Sequence, residues 1–349
     1  MSKASNNRII SIIKVVLPLL IGVYLLWHFY SAMDESTKEV FFKAIKEADY
    51  FWIILSLILG FFSHVVRAYR WKYLLEPLGH TPKFWHRYHA LMIGYIVNLL
   101  IPRAGEATRA ALLYRTDRIS FSSSFGTIIA ERVFDIIMLG LVFLVALFLS
   151  FDDLITLKDQ IVAGTNSEDG SNWFMRIFIS VLAGGSIIFL ILWWKVETFR
   201  SKFKNFIKDV IKGVFSIFKS KNPGKFIFHT LLIWALYMTF FGICFYSFEE
   251  TSDFPMEGIL IGYIAGTLGI MFTNGGIGAY PYLVGVVVAF YMSGSFDTPE
   301  ESEGIGKALG MIIWLSQTAG MIILGLISLV LLPRNYKKEK HDKVGTSTT

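Results

Sequence analysis

The chain is poor in what a soluble or secreted domain depends on. It has one cysteine, Cys244, set inside an apolar run, so no disulfide framework can form. Charged residues make up only 17% of 349 positions, and the longest polar stretch is about 20 residues, too short for a soluble catalytic domain. No P-loop pattern occurs, which argues against ATP binding. No group of His, Cys and carboxylates has metal-ligand spacing, and His80, His86 and His89 read as interfacial residues in an aromatic-rich segment. No cofactor, metal or catalytic residue is therefore expected. Lys and Arg are missing altogether between Ser293 and Glu303. The net charge of +6 resides mainly in loops and tails, so it speaks to topology and not to nucleic acid.

What remains is hydrocarbon. Hydrophobic residues reach 54%, with 31 Phe. Several runs approach the roughly 20 residues that cross a bilayer. The reading is an all-α, polytopic integral membrane protein. Full spans are expected at Val15–Tyr30 (uncleaved), Tyr50–Val66, Phe125–Phe151, Trp173–Trp194, Phe226–Phe248 and Ile305–Leu332. The second is expected to exit into Arg67, Arg70 and Lys72, with Trp71 and Tyr73 as interfacial aromatics. Asp34–Asp49 reads as an external loop, and Lys195–Lys225 as an interfacial amphipathic helix ended by Pro223-Gly224. The charge balance places both termini in the cytoplasm, with one membrane domain over 1–335 and a basic tail over 336–349.

Two further apolar runs are broken. His89–Ile101 stops at Pro102 and gives way to Arg103, Gly105, Glu106 and Arg109, with Ala107–Tyr114 as a second limb. Proline lacks an N–H and biases Ile101 out of the helical region, so a helix ends there. Both flanks are basic, which predicts a re-entrant hairpin. Pro255–Met292 is interrupted by Asn274-Gly275-Gly276-Ile277-Gly278-Ala279-Tyr280-Pro281 between two acidic flanks, which predicts a second hairpin from the opposite side. Span, hairpin, span occurs twice with opposite starting direction. That pattern points to a transporter with an inverted repeat and a midplane site.

Charges beside lipid-like sequence tend to face a cavity, a partner or a substrate. Arg103 and Arg109 suit an anion, because a guanidinium holds a phosphate through paired donors. Asn98 stands just before the break. Glu106, Glu131 and Asp135 could balance the arginines or contact a cationic headgroup; Glu131 and Asp135 share a helix face and Arg132 is offset from both. The alternative is that Arg103–Glu106 and Arg132–Asp135 are ion pairs that lock helix ends. Gly275, Gly276 and Gly278 bring backbone close to another helix or a ligand. Asn274 and Tyr280 flank them.

Taken in order, Arg67-Ala-Tyr-Arg70-Trp71, Asn98-x-x-Ile-Pro102-Arg103-x-Gly105-Glu106-x-x-Arg109, Glu131-Arg132-x-x-Asp135 and Gly275-Gly276-Ile277-Gly278 resemble the lysylphosphatidylglycerol synthase transmembrane, flippase-like family over roughly residues 8–335. The resemblance implies a bacterial inner-membrane protein that moves a lipid between leaflets. The sequence ends nine residues after Lys340, so the aminoacyl-transferase domain of bifunctional members is not expected. Asn274 and Tyr280-Pro281 depart from the family pattern of a Pro before Gly-Gly and a Glu after the last Gly. The expected partners are membrane lipids with an anionic or aminoacylated headgroup and a second copy of the chain, without nucleic acid. The rival readings are a membrane-embedded transferase using Glu131 and Asp135 as acid and base, and a non-transporting accessory protein.

Overall fold

The computed structural model describes residues 20, 23–149, 193–198, 200–201, 204, 222–273, 275–296 and 298–332. Among them all regular elements are helices. They are α1 (Glu35–Glu47), α2 (Tyr50–Arg70), α3 (Phe84–Leu100), α4 (Ala104–Asp117), α5 (Phe121–Leu149), α6 (Pro223–Ile243), α7 (Met256–Phe272), α8 (Ala279–Met292) and α9 (Pro299–Leu331), with short helical turns between some of them. Residues 23–31 are also helical. Tyr50–Leu78, Phe121–Leu149, Pro223–Ser247 and Pro299–Leu331 are long and apolar enough to cross a bilayer. The start of the first expected span, most of Trp173–Trp194, most of the amphipathic helix over 195–225, Asn274 and the 336–349 tail lie outside the described residues.

Both predicted interruptions are there. α3 ends at Leu100, and Ile101 is extended ahead of Pro102. Arg103 then takes φ 61°, and α4 begins at Ala104 with Glu106 in its first turn. The left-handed conformation therefore falls on Arg103 and not on Gly105. Gly105 is helical, and its role is close approach: a Cβ there would meet the Gly94 carbonyl at 2.1 Å, where α3 and α4 cross. In the second hairpin, α7 ends at Phe272 and α8 begins at Ala279. Between them Gly275, Gly276 and Gly278 have φ 67°, 80° and 72°, angles that glycine reaches without a Cβ penalty. The two breaks meet. A Cβ on Gly275 would lie 2.5 Å from Leu99 Cδ2, and Trp314 Nε1 donates to the Gly275 carbonyl at 2.8 Å.

Neighbour relations repeat between the halves. α2 packs on α3 as α6 packs on α7, α3 on α4 as α7 on α8, and α4 on α5 as α8 on α9. Across the halves α3 meets α9 as α7 meets α5, and α2 packs on α6. The short helix Lys72–Leu75 touches α5 and α6, while the turn Cys244–Ser247 touches α9 and α2. Exchanging the halves leaves these relations unchanged, as an internal two-fold repeat requires.

The halves differ in what fills the equivalent joint. α8 and α9 close with Gly285 against Lys307 and Pro281 against Gly310, among Val284, Val288, Leu309 and Ile313. α4 and α5 close around Arg109 and Glu131.

Three expectations need correction. Asp34–Asp49 is not an irregular loop: Asp34 caps α1, whose Phe41, with Val40, Ala44 and Ile45, packs into the core beside α9. The second span does not stop at Val66. α2 runs on to Arg70, and Arg67, Arg70, Trp71 and Tyr73 are buried instead of interfacial. His89 is buried too and shares a hydrogen bond with Ser328 Oγ at 3.0 Å, while His86 pairs with Asp117 at 2.9 Å.

Candidate functional site

The charged residues of the first half converge. Glu131 and Asp135, one turn apart on α5, face Arg67 and Arg70 at the end of α2 and Arg109 on α4. Arg109 Nη2 donates to Glu131 Oε2 at 2.9 Å. Arg67 Nη1 and Arg70 Nη2 lie 3.5 and 3.4 Å from Glu131 Oε1. The same two arginines hold Asp135, Arg67 Nη2 at 2.8 Å from Oδ2 and Arg70 Nη2 at 3.1 Å from Oδ1. Arg132 bridges Asp135 Oδ2 at 3.4 Å and Glu106 Oε1 at 3.0 Å. Asn98 closes the chain of contacts: its Nδ2 donates to Glu106 Oε2 at 3.3 Å, and its Oδ1 accepts from Gly105 N at 2.6 Å. The break of the first hairpin is thus tied by hydrogen bonds to the long spans.

Neutral groups hold the arginines in place. The Arg109 guanidinium stacks on Trp71 at 4.3 Å, and Trp71 Nε1 donates to Thr127 Oγ1 at 2.9 Å. Arg70 Nη1 donates to Thr230 Oγ1 at 3.0 Å, which draws in α6. Arg67 lies 5.7 Å from the Tyr237 ring. Glu131 has no exposed side-chain surface, and Asp135 has 13%.

Counting each group ionised, four guanidiniums meet three carboxylates, and one positive charge is left over. Donors are left over as well. The Nε atoms of Arg67, Arg70 and Arg109, and Nη1 of Arg109, are buried with no hydrogen-bond acceptor, against one buried acceptor without a donor, Glu131 Oε1. Such unmet charge in a low-dielectric interior favours an anion nearby.

The candidate residues therefore fall into four groups. Asn98, Glu106, Arg109, Glu131, Arg132 and Asp135 form one network, joined by Arg67, Arg70 and Trp71. Arg103 stands apart at the exposed tip of the hairpin and makes no hydrogen bond or ion pair among the described residues. Of the two expected ion pairs, Arg132–Asp135 is present and Glu106 takes Arg132 instead of Arg103. Gly275, Gly276 and Gly278 form the second turn beside Leu99. Tyr280 belongs to the core, buried against the α7 backbone at Gly266 and Gly269. The sequence reading missed Arg67, Arg70 and Trp71. Their spacing of i, i+3 and i+4 on one helix face was the available signal.

A helical bundle with two broken hairpins and a buried ion network defines an all-α, multi-pass membrane protein. The chain belongs to the family described as the lysylphosphatidylglycerol synthase TM region, which matches residues 15–296. It is 31% identical to a UPF0104 membrane protein of Methanocaldococcus jannaschii over 87 residues, 24% of this chain and 26% of that one. A UPF0104 membrane protein of Pyrococcus horikoshii is 25% identical over 221 residues, 61% of this chain and 58% of that one. The glycosyltransferase AglD of Haloferax volcanii is 29% identical over 187 residues, 52% of this chain and 29% of AglD. The matched stretches span from about a quarter to under three fifths of these relatives' lengths. All three are archaeal, so the match does not single out a bacterial membrane. No solved structure matches the chain.

Proposed function

We propose that the protein moves a lipid with an anionic phosphate headgroup between membrane leaflets. The observation that carries this reading is Arg103: exposed, without a partner among the described residues, at the tip of a hairpin whose base is anchored in a network with one positive charge to spare. A lipid suits such a site because its tails stay in the bilayer while the headgroup alone needs polar contacts. Arg103 takes the phosphate, Asn98 and Glu106 border it, and the glycine turn at 275–278 supplies backbone that can approach closely. The network beneath, including Arg109, Glu131, Arg132 and Asp135, acts as a rigid positive floor. Membrane lipids are then the partners, and transport is downhill or ion-coupled. The membrane is the cytoplasmic one, with both termini inside.

The match to a glycosyltransferase keeps a transferase as the second reading. The chemistry of the network supports it less well. A general acid or base must reach the reacting group, and Glu131 is enclosed by three guanidiniums while Asp135 is held by three.

Reconstituted vesicles separate the readings. Fluorescent phospholipid should exchange leaflets faster with the protein than without it, and Arg103→Ala should remove the gain. Lipid mass spectra of a deletion strain give the other arm: a lipid confined to the wrong leaflet supports transport, a missing product supports a transferase. Exchange no faster than in empty vesicles would sink the transport reading.

A further inference from the structure

Arg87 lies in the first turns of α3, at the end where the first hairpin joins the bundle, away from the network of Arg67, Arg109 and Glu131. It is only 3% exposed. Its Nη1 donates to the Tyr69 carbonyl at 3.3 Å, its Nε is buried with no acceptor, and its Cζ sits 5.9 Å from the Phe84 ring. No carboxylate pairs with it among the described residues. The two acids whose charge it feels, Glu76 and Asp117, are engaged elsewhere. Glu76 pairs with Lys72 at 3.2 Å. Asp117 pairs with His86 at 2.9 Å and accepts from Thr116 Oγ1 at 2.6 Å.

A guanidinium cannot shed its proton at physiological pH, so burial without a counter-ion is a standing electrostatic cost. A second deficit lies beside it. The N-cap residue of α3, Lys83, makes no side-chain cap, and among the described residues no side chain accepts from the N–H groups of its first turn. A helix N-terminus favours an anion through those N–H groups and its dipole. Side chains in a helix lean back toward its start, which directs Arg87 to the same end. Lys72, 37% exposed and 5.9 Å from the Tyr69 ring, adds a solvent-reachable positive charge at this edge.

We propose that Arg87 and the uncapped start of α3 form an oxyanion site, filled by a phosphate group from a lipid headgroup or free in solution. One oxyanion would supply the counter-charge Arg87 lacks and cap the helix. This site is separate from Arg103 and does not require the protein to transport anything.

The test uses the full chain purified in a phosphate-free neutral detergent. Native mass spectrometry follows retention of added phosphatidylglycerol against phosphatidylcholine, and thermal unfolding follows the effect of inorganic phosphate. The wild type should retain one phosphatidylglycerol in preference to phosphatidylcholine, or gain unfolding temperature from inorganic phosphate. The first result names a lipid headgroup as the source and the second a free anion. Arg87→Gln should weaken the effect roughly tenfold, the loss of about one charge-assisted contact. Arg87→Lys should fall between, and each comparison is repeated in an Arg103→Gln background so that the proposed transport contact is not counted. A wild type that neither prefers phosphatidylglycerol nor responds to phosphate overturns the proposal. So does a folded Arg87→Gln that behaves as the wild type. If Arg87→Gln does not fold, the wild-type comparison and Arg87→Lys still decide.

Discussion

Arg109 on α4 and Glu131 on α5 meet at 2.9 Å with both side chains buried. Glu131 is also the acceptor nearest the centre of the network, within 3.5 Å of Arg67 and Arg70. Removing its carboxylate leaves three guanidiniums facing one another with only Asp135 between two of them. Breaking a buried ion pair from one side costs about 3–5 kcal/mol. Glu131→Ala should therefore lower the thermal unfolding temperature in detergent sharply. Arg109→Met should cost less, because Trp71 and Ala110 supply an apolar surrounding and Arg67 and Arg70, 3.5 and 3.4 Å away, still balance the charge of Glu131. A double-mutant cycle between the two should give a coupling of about 1–3 kcal/mol. Additive effects would mean that the pair does not hold α4 to α5.

Gly275 and Leu99 form the contact between the two hairpin breaks. A methyl at position 275 would sit 2.5 Å from Leu99 Cδ2, and the residue would still need φ 67°. The left-handed angle alone costs about 1–2 kcal/mol for a side chain. Gly275→Ala should thus destabilise by more than that, and adding Leu99→Ala should return the clash component but not the angular one. Gly126→Ala provides the contrast. It lies inside α5 with open space around its Cβ position, so it should stabilise by roughly 0.5–1 kcal/mol. Thermal unfolding of the three variants checks the ordering.

The breaks and the long apolar helices were legible because each has a local cause. Pro102 stops α3, the Gly275–Gly278 run stops α7, and unbroken hydrocarbon carries α5 and α9. Length and sign of charge were less reliable. Arg67 and Arg70 read as a charged exit from the membrane, since nothing near them in the chain is acidic. Their partners, Glu131 and Asp135, are more than 60 residues away, and only the fold of α5 against α2 turns an interfacial signal into a buried one. Trp71 was misplaced for the same reason, because its neighbour is Arg109. α1 was hidden by its acids, although Phe41, Ala44 and Ile45 already had helical spacing. Gly105 shows a different failure: glycine suggests a turn, but here it serves a helix crossing at Gly94.

Asp34 gives a pH test outside the spans. Hydrogen bonds from the Thr37 hydroxyl and from Thr37 N–H, the latter at 2.7 Å, hold its carboxyl below the ordinary carboxylate range. Because folding lowers this pKa, the cap stabilises α1 fully above that ordinary range and loses its effect as pH falls through the depressed value. Exchange protection of the α1 amides should accordingly decline on acidification below pH of about 4. Asp34→Ala should show weak protection with no such decline. Asp34→Asn, which still caps a helix, should keep protection through the acid range. Equal pH profiles for all three proteins would dismiss the cap.

Arg103 combines two features that mutation can separate: a left-handed backbone and a charge without a partner among the described residues. Glycine accepts φ 61° freely, so Arg103→Gly removes the angular strain while adding unfolded-chain entropy. The two effects nearly offset, and stability should change by no more than about 1 kcal/mol, toward a more stable protein. Leaflet exchange in vesicles should nevertheless drop at least roughly tenfold, because the charge-assisted contact to the phosphate is gone. Arg103→Lys should keep part of the rate, and Arg103→Asn, which also tolerates the left-handed region, should behave like the glycine variant. A glycine variant that exchanges lipid as fast as the wild type would show that the exposed guanidinium at the hairpin tip binds no phosphate, and the anion would then have to be held by the buried network around Arg109.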